Sequence, residues 1–213
     1  MAYPRQELDL TTKLPPGVFT TPDPDEIDEE GFGMFRGVWR IVGGSVEYAR
    51  ELARVERDLA ETVSRHATSA AHFDQIAYDI EGFDLDNERD YFRTIDVEEA
   101  TRLRAALPHW SVLDSLELGV AGLVTTLAAV GAFPAASCRG HVSTSAWSQR
   151  PTVHFAIDEA RAKPLVDHVT QAGCRLAVSG NGEHLVIVEG PSIEETMALT
   201  DRLLVDADAF LTN

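Results

Sequence analysis

The sequence predicts an α+β fold, with a mixed or antiparallel sheet, helices on one face, and a preceding helical N-terminal region that contains a long helix. Three observations carry this expectation. From residue 111 onward the apolar patterns run helix, strand, strand, helix, strand, strand, helix. Gly180-Asn181-Gly182 lies between two apolar runs, which is a hairpin signal. Before residue 111, Val46, Ala49, Leu52, Leu59, Val63, Ala70, Phe73, Ala77 and Ile80 form a stripe at helical spacing, with no Gly or Pro until Gly82.

Taken in order, residues 1–44 read as an extended acidic arm followed by an apolar docking patch. Pro4, Pro15, Pro16 and Pro22 precede the acidic run from Asp23 to Glu30, which Pro24 interrupts, and few apolar residues offset the entropy of ordering. The patch is Phe32, Met34, Phe35, Val38, Trp39, Ile41 and Val42. Residues 45–110 read as a helical region. Ser45 is placed to cap the first helix, with Glu47 in the first turn where the dipole favours a negative charge. Glu56 and His66 interrupt its stripe. A helix this long either breaks in two or packs along a partner chain, which admits a homo-oligomer or a protein partner. Further helical segments are expected after Asp86 and after Asp96, the latter closed by Pro108.

Residues 111–213 read as an α+β domain. Ser111 opens a helix lined by Leu113, Leu116, Val120, Leu123, Leu127 and Val130 and stopped by Gly131. Residues 132–137 form a short extended run, 152–157 a strand, and 158–172 a helix ended by Gly173. Residues 174–179 and 184–189 are the hairpin strands, and Ser192 caps a last helix.

The 213 residues, 44% of them hydrophobic, suffice for a buried core. Two cysteines are too few for a disulfide framework, and the N-terminus lacks the pattern of a secretory signal. The expectation is a soluble, cytoplasmic protein with no membrane segment; the uncharged stretch from Leu118 to Cys138 is diluted by Gly119, Gly122, Gly131 and Pro134. The formal net charge is −17, with acids exceeding bases in every third of the chain. Such a surface repels a phosphate backbone, so broad nucleic-acid binding is disfavoured.

The chemistry concentrates in Ser137-Cys138-Arg139-Gly140-His141. A thiolate is stabilised by nearby positive charge and exposed N–H groups, so Cys138 reads as a candidate nucleophile or contact and His141 as a base or hydrogen-bond donor. The same residues suit an anion nest: Gly140 turns successive N–H groups inward, Arg139 forks onto a carboxylate or phosphate, Ser137, Ser143, Thr144 and Ser145 add hydroxyls, and Arg150 stands near the rim. The equally simple alternative is a buried cysteine ending a strand before a tight glycine turn. Cys138-x-x-His141 has zinc-ligand spacing, and His154, Cys174 and His184 could complete a tetrahedral set from neighbouring strands, but they form no second close pair, so no metal is assigned. His66 and His72 lie six residues apart, off the i, i+4 spacing of a helical metal pair.

Ser137-Cys138-Arg139-Gly140-His141 resembles a Ser-Cys-x-Gly-His element of bacterial proteins without assigned activity. More distantly it resembles the Ser-Cys-Ser-Gly-Arg motif of the wybutosine-synthesising tRNA methyltransferase family. Arg139 stands where that motif has its second serine and His141 where it has its arginine, so the resemblance implies neither a methyl donor nor a substrate here. Two functions fit. In one, the loop binds or transforms a small anionic, nucleotide-like ligand, with cofactor and reaction unspecified. In the other, the arm, patch and long helix make a non-catalytic interaction or oligomerisation protein.

Overall fold

The computed structural model of the chain describes residues 3–11, 14–28, 38–39, 44–81, 113, 116–143, 146–179 and 185–211. The fold is α+β, as the pattern of elements predicts. Two short parallel strands, β1 (Ile27–Asp28) and β2 (Val38–Trp39), precede the helices α1 (Val46–His66) and α2 (Ala70–Glu81). Then follow α3 (Ala121–Ala129), β3 (Phe133–Cys138), β4 (Thr152–Ala156), α4 (Glu159–Gln171), β5 (Arg175–Val178), β6 (Val186–Glu189), α5 (Ile193–Val205) and α6 (Ala207–Leu211). The four-stranded sheet has the order β3-β4-β6-β5 and every pairing in it is antiparallel.

Strand alternation divides the sheet into two faces. Val153, Phe155, Leu176, Val186 and Val188 join Leu52, Leu59, Leu123, Leu127, Leu165 and Leu203 in the main core, so the helices cover this face. Ala135 and Ala156 point to the other face, where Ile27, Phe133 and Leu185 close over them. The main core also takes in Val18, Phe73 and Leu113, so the arm, the helical region and the α+β region share one apolar interior. The arm is extended and docked: Gln6 N–H donates to the Pro191 carbonyl, Arg5 pairs with Glu195, and Arg175 reaches the Asp9 carbonyl.

The long helix of the sequence reading is two helices. Its stripe continues, but Ala67 adopts an extended conformation as the cap of α1, and the Ser69 hydroxyl accepts from His72 N–H to begin α2. Ser and Thr side chains at positions 68 and 69 offer the backbone such alternatives to helix. The α1 stripe is covered by the chain itself, through α3 and α5.

The helix expected from Ser111 begins ten residues later, at Ala121. Gly119, at φ +94°, breaks the helical path, and a Cβ there would stand 2.4 Å from Ile193. Its first turn is capped from outside: the Glu56 carboxylate of α1 accepts the N–H groups of Gly119, Ala121 and Gly122 at 2.7, 2.9 and 3.0 Å. Among the described residues no helix is long and apolar enough to cross a membrane. Most of the patch at 32–42, the segments after Asp86 and Asp96, and the turn Gly180-Asn181-Gly182 lie outside the described residues.

Candidate functional site

Strand β3 ends at Cys138, which is fully buried and paired in register with Thr152. The chain then turns at Gly140, at φ +81°, where a Cβ would meet the backbone of Arg150 and Pro151 within 2.4–2.7 Å. Only glycine fits there without displacing backbone. His141 N–H closes the loop by donating to the Ser148 carbonyl at 3.1 Å. This geometry throws Arg139 and His141 to the same side, toward α2 and the segment before α3.

Asp74 and Glu81 lie seven residues apart on α2, on one face two turns apart. Arg139 forks between them, one terminal nitrogen 2.9 Å from Asp74 Oδ1 and the other on Glu81 Oε1. Its side chain has no exposed surface. His141 Nδ1 stands 2.9 Å from Asp74 Oδ1 and Nε2 3.3 Å from Glu117 Oε1. Arg139 and His141 thus share Asp74, and Cys138 Sγ lies within 4.8 Å of donor atoms of His141 and Glu117.

The roles within this cluster differ from the sequence reading. Arg139 is no clamp for an outside anion, because Asp74 and Glu81 occupy its terminal nitrogens. The nest of N–H groups is filled as well: Arg139 N–H donates to Glu117 Oε2, Gly140 N–H to Cys138 Sγ at 3.3 Å, His141 N–H to Ser148, and Val142 N–H to Asp74 Oδ2 at 3.1 Å. The anions held by this loop are the chain's own carboxylates. Arg150 turns away from the cluster and donates to the Glu7 carbonyl at 2.8 Å, so it secures the arm rather than the rim. Ser137 is a strand residue opposite Val153, Ser143 is exposed, and Thr144 and Ser145 lie outside the described residues. Full burial of Cys138 also weighs against an open nucleophile.

Three carboxylates thus face two cations, and their environments pull them apart. Burial alone would raise Asp74, yet hydrogen bonds from His141 and Arg139 and the Arg139 charge hold it at about 2. Burial likewise opposes ionisation of Glu117, but the His141 bond and the Arg139 charge carry it below the usual carboxylate range. Burial, with the Glu117 charge added, pushes Glu81 up to about 7 against the pull of Arg139. Hydrogen bonds to Asp74, Cys138 and Glu117 raise His141 to about 12, so the free protein carries an imidazolium there.

Cys138 Sγ, a ring nitrogen of His141 and a Glu117 oxygen lie within 4.8 Å of one another, a set of donors able to hold a metal ion. Neither His66 nor His72 belongs to it: His66 bonds the Thr62 carbonyl and His72 pairs with Thr68. His154 stands in β4, His168 faces Asp206, and Cys174 is buried, its thiol pushed up to about 12 by burial and the nearby Glu195.

Asp74, Glu81 and Glu117 went unrecognised in the sequence. Their signal was slight: two acids seven apart on a helical pattern, and one acid between Leu116 and Leu118 at the edge of the longest uncharged stretch. The chain matches no protein-family model, no curated protein and no solved structure, so the reading of this site rests on its own geometry.

Proposed function

We propose that the protein binds a small ligand at the Cys138–His141 loop, and that the ligand presents positive charge or hydrogen-bond donors rather than an anion. One observation carries this reading: the loop's four successive N–H groups and both terminal nitrogens of Arg139 are taken up internally, while Glu117 and Asp74 keep 31% and 15% of their side-chain surface exposed. An incoming anion would have to displace a carboxylate already held by several donors. An incoming cation meets acceptors that Arg139 and the loop N–H groups already orient. The overall charge of −17 acts in the same sense, raising the local concentration of cations.

Within the site, Arg139 is a positioning residue that holds Asp74 and Glu81 in place, and His141 is the group that moves when a ligand arrives. The test is a map of backbone amide shifts by NMR with methylguanidinium and acetate as probes. Methylguanidinium is expected to shift Asp74, Glu117 and the amides of Cys138–Val142. Acetate acting there instead, or methylguanidinium shifts scattered over the surface acids, would overturn the reading.

A further inference from the structure

We infer that Glu117, Cys138 and His141 bind one divalent transition-metal ion of zinc-like softness, the inference resting on the reading of this loop as a ligand centre. The donor set is one carboxylate oxygen, one sulfur and one imidazole nitrogen, a mixture that suits Zn2+ over the all-oxygen preference of Mg2+ or Ca2+. In a tetrahedral shell with bonds of about 2.0–2.3 Å the donors stand roughly 3.3–3.8 Å apart. His141 Nε2 and Glu117 Oε1 are already 3.3 Å apart, and all three donors lie within 4.8 Å, so side-chain adjustments of about an ångström complete the geometry.

Each prospective ligand is also held from behind. His141 directs Nδ1 at Asp74 Oδ1, which holds the ring so that Nε2, once its proton is released, is the nitrogen left for a metal. Gly140 N–H donates to Cys138 Sγ at 3.3 Å, which fixes the position of the sulfur. Arg139 N–H takes the second oxygen of Glu117 and turns Oε1 toward the imidazole. The sequence reading left the metal out because Cys138-x-x-His141 lacked a second pair of ligands; Glu117, twenty-one residues upstream of Cys138, is the donor that spacing could not reveal.

On binding, the hydrated ion exchanges water for the three protein ligands, and the protons on Nε2 and Sγ leave to solvent. Three protein ligands leave a fourth position for water or a substrate. It lies on the side of Glu117 and His141, since Cys138 is fully buried.

Titration of the reduced full chain with Co2+ tests the site. One equivalent is expected to produce a thiolate-to-cobalt charge-transfer band together with visible bands of tetrahedral intensity. Cys174→Ser should keep that band and Cys138→Ser should lose it, while Asp74→Asn, which leaves all three ligands in place, should weaken Co2+ roughly 10- to 100-fold. Should Cys138→Ser fail to fold, His141→Gln serves, with the tetrahedral bands lost or the affinity sharply lowered. A folded wild-type protein with no thiolate band, or a band lost with Cys174 rather than Cys138, overturns the metal assignment. If methylguanidinium still shifts the Cys138–Val142 amides in that case, the ligand centre stands without its metal; if neither probe acts on the loop, both readings fall.

Discussion

Glu56 on α1 is buried and Glu81 on α2 keeps 12% of its side-chain surface, and desolvation pushes both carboxyls up to about 7. They are satisfied in different ways. Glu56 meets three backbone N–H groups whose positions are set by the chain path, and it closes the start of α3. Glu81 meets one backbone N–H, that of Leu118, and then a side chain, Arg139, which is shared with Asp74. A carboxylate answered by backbone is part of the architecture. A carboxylate answered by other ionisable side chains belongs to a cluster whose protons and charges can be rearranged by a ligand.

Removing the shared cation should break that contrast most severely. Arg139→Met takes from Glu81 its ion-pair partner and leaves His141 as the cation of Asp74 and Glu117, and a loss of about 3–5 kcal/mol is expected from the urea midpoint. Arg139→Lys should recover only part of it, because an ammonium cannot fork across both carboxylates.

The architectural side is tested by Glu56→Ala. It strands the N–H groups of Gly119 and Gly122, Ala121 N–H keeping the Glu117 carbonyl at 3.2 Å, and should cost about 2–3 kcal/mol by the same measurement while leaving the loop's amide shifts in place.

The next effect is one of pH. The folded protein holds a proton on Glu56 up to about 7, whereas the unfolded chain releases it near 4.5. The native state therefore binds more protons between these values, and stability falls as pH rises through 4.5–7. Glu81 adds in the same direction. The lowered Asp74 contributes stability that is lost only below its usual range, toward 2. The raised His141 contributes stability present below 6.5 and lost on the way to 12. Glu56→Gln should flatten the slope between pH 4.5 and 7, as followed by thermal midpoints; an unchanged slope would remove Glu56 as its source.

The smallest expected change in stability is at His141. Its removal leaves Asp74 with Arg139 and Val142 N–H, and Glu117 with Arg139 N–H and solvent. His141→Ala should therefore cost about 1.5 kcal/mol, the low end for bonds to charged groups, yet abolish the response of the loop amides to methylguanidinium. A protein that fails to fold would make the loop an architectural turn.

Much of the fold was legible in the sequence because burial in a sheet or helix leaves a period. Val153, Phe155, Val186 and Val188 alternate, and Ser45 and Ser192 do cap α1 and α5. The start of α3 was not legible, since Leu113 and Leu116 continue the helical spacing and the break comes from Gly119 meeting Ile193 and from a cap supplied 63 residues away. The site was half legible. Cys138, Arg139, Gly140 and His141 announce themselves by adjacency. Their partners Asp74, Glu81 and Glu117 come from elements distant in the chain, and only packing of α2 against the loop decides that Arg139 meets acids of its own protein instead of a ligand's.

The most direct measurement is an anomalous difference map, collected at the cobalt edge from crystals of the full chain grown with Co2+. One peak is expected within bonding reach of Glu117 Oε1, Cys138 Sγ and His141 Nε2, with Asp74 still on Nδ1. Cobalt found only among surface carboxylates, with His141 still bonded to both Asp74 and Glu117, would contradict the account.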